Sequence, residues 1–147
     1  MKDSKIYVER KILKIKVNKA GIFTRLDTII IRVKNMEEAK NWYIENLNFF
    51  PVYSDDESKI TIFDMAGTTT LTLWQLDGTD TGETINQGNT YAVFNCENAE
   101  QVYKSLKKKG VVVDNFAASE DVSLFNFYDL DGNKFEVIEI NEKAGEE

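Results

Sequence analysis

Histidine is absent from this sequence, and cysteine and proline occur once each, as Cys96 and Pro51. The missing histidine excludes most. It is the only side chain whose unperturbed pKa lies near neutrality, and it is the commonest metal ligand. Without it there is no Ser-His or Cys-His nucleophile pair and no imidazole-held zinc or iron site. Chemistry must rest on carboxylates, hydroxyls, amines or one thiol, or else on binding alone. A lone cysteine excludes an intrachain disulfide and suits a reducing compartment, so a cytoplasmic protein is expected. The opening MKDSKIYVERK lacks the apolar stretch of a signal peptide, and no apolar run approaches a membrane span, so no membrane association is expected. Gly-rich phosphate loops and Cys-x-x-Cys pairs are also missing.

What is present suits one globular domain: 147 residues, of which 42% are hydrophobic, enough for a sizeable core. The net charge of −7 hides a split. Residues 1–25 carry eight Lys or Arg against two acids, whereas the rest carries ten bases against 23 acids. Such an acidic body repels nucleic acid and anionic membranes, so neither is an expected partner, and it favours cationic or neutral ligands. In the basic arm, residues 1–23, Leu13, Ile15 and Val17 alternate with Lys14 and Lys16, which predicts a half-exposed strand rather than a nucleic-acid tail. Residues 141–147 form an acidic tail.

From Thr24 onward a pattern is written twice. Thr24–Val33 is an apolar strand, and Asn35 with Glu38 three residues later marks a capped helix start. Met36, Ala39, Tyr43 and Leu47 form that helix's apolar stripe. Pro51 opens the next strand, and three strands are predicted at about 51–55, 58–65 and 68–76. A polar linker, residues 77–88, separates the copies. Then Thr90–Cys96 is a strand, Asn98 with Gln101 caps a helix striped by Ala99, Val102, Tyr103 and Leu106, and Gly110 ends it. Strands follow at about 111–117, 121–128 and 134–140, with Asp131-Gly132 as a hairpin signal between the last two. The first strands stand about 63 residues apart and the last strands about 64. The expected fold is therefore α+β, two βαβββ modules spanning 24–76 and 89–140.

Leu26-Asp27-Thr28-Ile29-Ile30-Ile31-Arg32-Val33-Lys34-Asn35, followed by Asn41-Trp42-Tyr43 and Leu47, resembles the opening of a vicinal oxygen chelate module. Phe127 to Val137, with Asp129-Leu130-Asp131-Gly132-Asn133 at its centre, resembles that family's closing strand pair, with Leu130 where proline is usual. The family includes glyoxalase I, extradiol dioxygenases, and fosfomycin- and bleomycin-resistance proteins. The resemblance covers about residues 24–140 and implies paired modules whose sheets curl around a groove. Metal-dependent members hold their metal from four positions on that concave face. Counted onto this chain, those positions are Thr28, Thr72, Tyr91 and Glu136. One carboxylate and three hydroxyls are a poor donor set for a transition metal, so no metal and no cofactor are expected.

Alternation puts Glu136 on the groove side of its strand, with Phe135, Val137 and Glu139 toward the helix. Arg32 shares strand parity with Thr28 and could pair with Glu136. Trp74, Tyr91 and Val93 join the groove by the same parity, and Phe125 and Phe127 could add aromatic surface from the neighbouring strand. Cys96 has helix-facing parity and no base beside it, so it reads as a small buried hydrophobe. The expected function is metal-independent binding of an aromatic or cationic organic ligand, sequestered or sensed, in a homodimer of the bleomycin-resistance type. The alternative is a divergent lyase or isomerase with Glu136 as general base, assisted by weakly held Mg or Mn.

Overall fold

A computed structural model describes residues 21–79 and 90–141. Most of the basic arm, most of the linker and most of the acidic tail lie outside the described residues. The chain forms two compact units, one of Phe23–Thr90 with Tyr128–Lys134, the other containing Tyr91–Phe127 and the strand from Phe135.

The first unit holds β1 (Thr28–Val33), α1 (Met36–Leu47), β2 (Phe50–Asp55), β3 (Ile60–Asp64) and β4 (Thr70–Gln75). Its sheet runs β1-β4-β3-β2, with β1 parallel to β4 and the other neighbours antiparallel. The second unit repeats the order with β5 (Ala92–Asn95), α2 (Ala99–Lys108), β6 (Val112–Ala118), β7 (Val122–Tyr128) and β8 (Lys134–Ile140), in a sheet ordered β5-β8-β7-β6 with β5 parallel to β8. This is the expected α+β architecture of paired βαβββ modules.

The copies agree residue by residue. Ile29, Ile30, Ile31 and Arg32 pair with Leu71, Thr72, Leu73 and Trp74, and their counterparts Ala92, Val93, Phe94 and Asn95 pair with Phe135, Glu136, Val137 and Ile138. The helix starts match as well. Asn35 and Asn98 accept hydrogen bonds from the Glu38 and Gln101 amides at 3.0 Å. A side chain from each unit's last strand accepts from the first helical amide: Gln75 Oε1 from Met36 N at 2.9 Å, Glu139 Oε1 from Ala99 N at 2.8 Å. Helix-start amides have no intrahelical acceptor, so a side chain of β4 or β8 completes each cap.

Each core lies between helix and sheet. In the first unit Tyr43 stacks on Phe63 at 5.8 Å, over buried Val33, Leu71 and Leu73. In the second, Tyr103 meets Phe125 at 5.3 Å, and Phe127 stacks on Phe135 at 5.0 Å.

The first strand of each copy begins later than expected. β1 starts at Thr28 rather than Thr24, because residues 25–27 are tied down by other bonds. Arg25 pairs with Asp27 at 2.7 Å and donates to the Thr68 carbonyl, while the Leu26 carbonyl accepts from Thr69 Oγ1. Leu26 itself is exposed.

Candidate functional site

The sheet of the first unit has one face covered by α1. Strand alternation sends Thr28, Ile30 and Arg32 of β1, Thr72 and Trp74 of β4, and Ile62 of β3 to the other face, and Tyr53 of β2 continues the row in register with Ile62. Ile30 is 51% exposed, Trp74 41% and Tyr53 55%. Most isolated apolar side chains at a surface need no explanation, but a row of them across three strands does.

Two polar arrangements cross this face. Thr28 Oγ1 and Thr72 Oγ1 share a hydrogen bond of 2.7 Å, and Thr28 also donates to the Thr70 carbonyl at 3.2 Å. At the other end the Arg32 guanidinium lies over the Trp74 ring, 4.2 Å from its centroid. Arg32 Nε donates to the Trp74 carbonyl and one terminal nitrogen to the Gln75 carbonyl, both at 3.3 Å. These bonds to the neighbouring strand hold the guanidinium over the indole ring, within the distance of a cation–π contact.

In the second unit Glu136 pairs with Val93 in register and is 7% exposed. The Glu139 cap on α2 fixes the helix side of β8, so Glu136, three residues earlier, lies on the opposite face. Tyr91 stands just before β5 and is exposed.

Phe125 and Phe127 correct an expectation. They are 0% and 2% exposed and belong to the ring cluster on the helix side: Phe125 against Tyr103 and Phe116, Phe127 against Phe94 and Phe135. Burial of large rings outweighed the use proposed for them, and they serve as core rather than ligand-binding surface.

Thr28 and Thr72, two of the four counted metal-ligand positions, offer neutral hydroxyls bonded to each other, and only Glu136 of the four is anionic. Among the described residues no three or more Asp, Glu, Cys or His gather closely enough to hold a metal ion. The donor set does not fit a transition metal. Burial pushes the Cys96 thiol above its ordinary range, and Glu139 adds to the effect against the pull of the Asn98 amide. That favours the inert thiol over the thiolate nucleophile.

A polar cleft of about 160 Å³ opens beside the start of α1, lined by Glu37, Lys40, Ser54, Asp55 and Lys59 among others. Its groups largely satisfy one another: Lys40 donates to Ser54 at 3.1 Å, and Asp55 accepts from Ser58, which holds its carboxyl below the usual carboxylate range. It contains none of the counted ligand positions.

With the fold and face in view, comparison with known proteins gives a consistent result. Residues 25–137 match the model of the Glyoxalase/Bleomycin resistance protein/Dioxygenase superfamily. The chain belongs to this superfamily. No curated protein matches it. Among solved structures it is similar to an antibiotic binding protein, TnmS3, from Streptomyces sp. CB03234 (TM-score 0.68, 17% identity, 82% of this chain and 98% of that one). It is also similar to the fosfomycin resistance protein FosX from Listeria monocytogenes (TM-score 0.66, 18% identity, 84% and 99%). An integron cassette protein from the Halifax Harbour sewage-outfall metagenome matches too (TM-score 0.65, 22% identity, 80% and 100%). No described helix is long and apolar enough to cross a membrane.

Proposed function

We propose that the protein binds a small organic molecule with aromatic surface on the face of the first sheet turned away from α1, and sequesters or senses it without a metal. The carrying observation is Trp74, exposed beside Arg32 on a strand-held face that also carries Ile30 and Tyr53. Apolar walls with a few fixed polar groups are the usual make-up of small-molecule sites. Relatives in fold named for antibiotic binding and fosfomycin resistance support the same class of ligand. The test is a fluorescence titration with a panel of planar aromatic compounds, in a Trp42→Phe background so that Trp74 is the reporter. Saturable quenching is expected; an unchanged signal across the panel would overturn the proposal.

A second reading is favoured by one observation, the nearly buried carboxylate of Glu136. In this reading the protein is a divergent lyase or isomerase with Glu136 as general base, its carboxylate standing on the sheet face turned away from α2. Glu136→Gln should abolish turnover while sparing binding if this holds; a variant that turns over as the wild type does removes Glu136 from that role.

A homodimer in the cytoplasm completes the proposal. Exposed Phe50, Val52 and Tyr53 on the edge strand β2 support self-association, and Cys96 as the only cysteine suits a reducing setting. Light scattering on the purified protein tests the dimer.

A further inference from the structure

The hydrogen bond between Thr28 and Thr72 has a direction. Thr28 Oγ1 donates to the Thr70 carbonyl at 3.2 Å, and a carbonyl can only accept. A hydroxyl carries one proton, so that bond uses the proton of Thr28. The 2.7 Å bond between the two hydroxyls is then donated by Thr72. The chain runs from Thr72 to Thr28 to the Thr70 carbonyl and uses both protons. Thr72 Oγ1 is left with acceptor capacity alone, and among the described residues no further hydrogen bond reaches it. We propose that Thr72 makes the sheet-face site selective for aromatic ligands that bring a hydrogen-bond donor, a phenol O–H or a ring N–H, over those that bring only acceptors. This rests on the proposed aromatic-binding function of the same face and adds the ligand's hydrogen-bonding class.

Thr72 stands in the middle of the apolar row. Strand register sets Ile30 on one side of it and Ile62 on the other, and Trp74 follows two residues on, on the same face. Thr72 is 7% exposed, so water reaches little of it. An acceptor in such surroundings gains more from a ligand's donor than it would in water, and a ligand acceptor laid against it finds no proton. The second unit pairs Val93 with Glu136 where the first pairs Ile30 with Thr72. Both copies thus put an acceptor side chain at that position, and the first has one without charge. A neutral donor meets it without the desolvation that an ammonium group would cost.

The experiment compares 2-naphthol with 2-methoxynaphthalene, in which a methyl group replaces the donor proton. Binding is measured by equilibrium dialysis against wild-type protein, Thr72→Val and Thr72→Ser, with melting temperatures recorded for each. Wild type is expected to bind the naphthol about tenfold more tightly, the size of one hydrogen bond to a shielded acceptor. Thr72→Val, which keeps the shape and removes the oxygen, should lose that margin, and Thr72→Ser, which keeps the hydroxyl, should hold it. If Thr72→Val melts early, Thr28→Val serves in its place: it frees the Thr72 proton to act as a donor, so the margin should narrow there too. A wild type that binds the two probes alike, or a margin that survives in Thr72→Val and Thr28→Val, overturns this inference alone. Failure of every protein to bind either probe overturns the aromatic-site reading and this inference with it.

Discussion

The Tyr43 phenol donates a 2.7 Å hydrogen bond to Asp129 Oδ2, 86 residues further along the chain. Asp129 is buried and accepts three more bonds, from the Asp131 and Asn133 amides to Oδ1 and from Asn133 Nδ2 to Oδ2, each at 2.8–2.9 Å. Asn133 Nδ2 also reaches the Arg32 carbonyl at 3.1 Å, and Asp131 accepts from the Lys34 amide at 3.0 Å. The hairpin loop after β7 is thus fastened to the β1–α1 corner within one compact unit.

Removing the phenol oxygen leaves a buried carboxylate short of a donor. Tyr43→Phe should therefore cost about 2 kcal/mol of stability, and Asp129→Ala more, because it orphans four donors. Urea unfolding of both variants measures this. A loss near zero for Asp129→Ala would mean the loop is held by something else.

Burial pushes the Asp129 carboxyl above its ordinary range, against the opposing pull of its bonds from Asn133 and Tyr43. The folded state then keeps this proton to a higher pH than the unfolded chain does. The group's contribution to stability is full below the unfolded value and is lost as pH rises through the folded one. The stability gap between wild type and Asp129→Asn should therefore be wider near pH 4 than at pH 7, as read by thermal melts. A gap that widens with rising pH contradicts this.

Much of this was legible in the sequence, for physical reasons. Among the described residues, both capped helices, all eight strands and the constant offset between copies follow from apolar periodicity and two asparagine caps, which are local signals. Thr28, Arg32, Thr72 and Trp74 fall on one face as parity requires. Phe125 and Phe127 did not, because parity on one strand does not say which face a helix will cover, and the rings of Tyr103 and Phe135 decided it. The Arg32–Trp74 stack was hidden for a related reason: parity put both residues on one face, but only strand register shows that they are direct neighbours.

The raised pKa of the Cys96 thiol implies a slow reaction with Ellman's reagent at neutral pH, since only the thiolate attacks. Labelling of the folded protein should lag well behind that of the urea-unfolded chain. Equal rates would show an activated thiol.

The Thr28–Thr72 bond makes a metal content test informative. Purified protein should carry no stoichiometric zinc, nickel or iron by elemental analysis, since two mutually bonded hydroxyls replace stronger donors. Stoichiometric metal would reopen the family's metal chemistry here.

Amide chemical-shift mapping during titration with 2-naphthol locates the ligand directly. Shifts concentrated on Thr28, Ile30, Arg32, Thr72 and Trp74 are expected, with the α1 side of the sheet quiet. Shifts concentrated instead on Glu37, Lys40, Asp55 and Lys59 around the polar cleft would contradict the account.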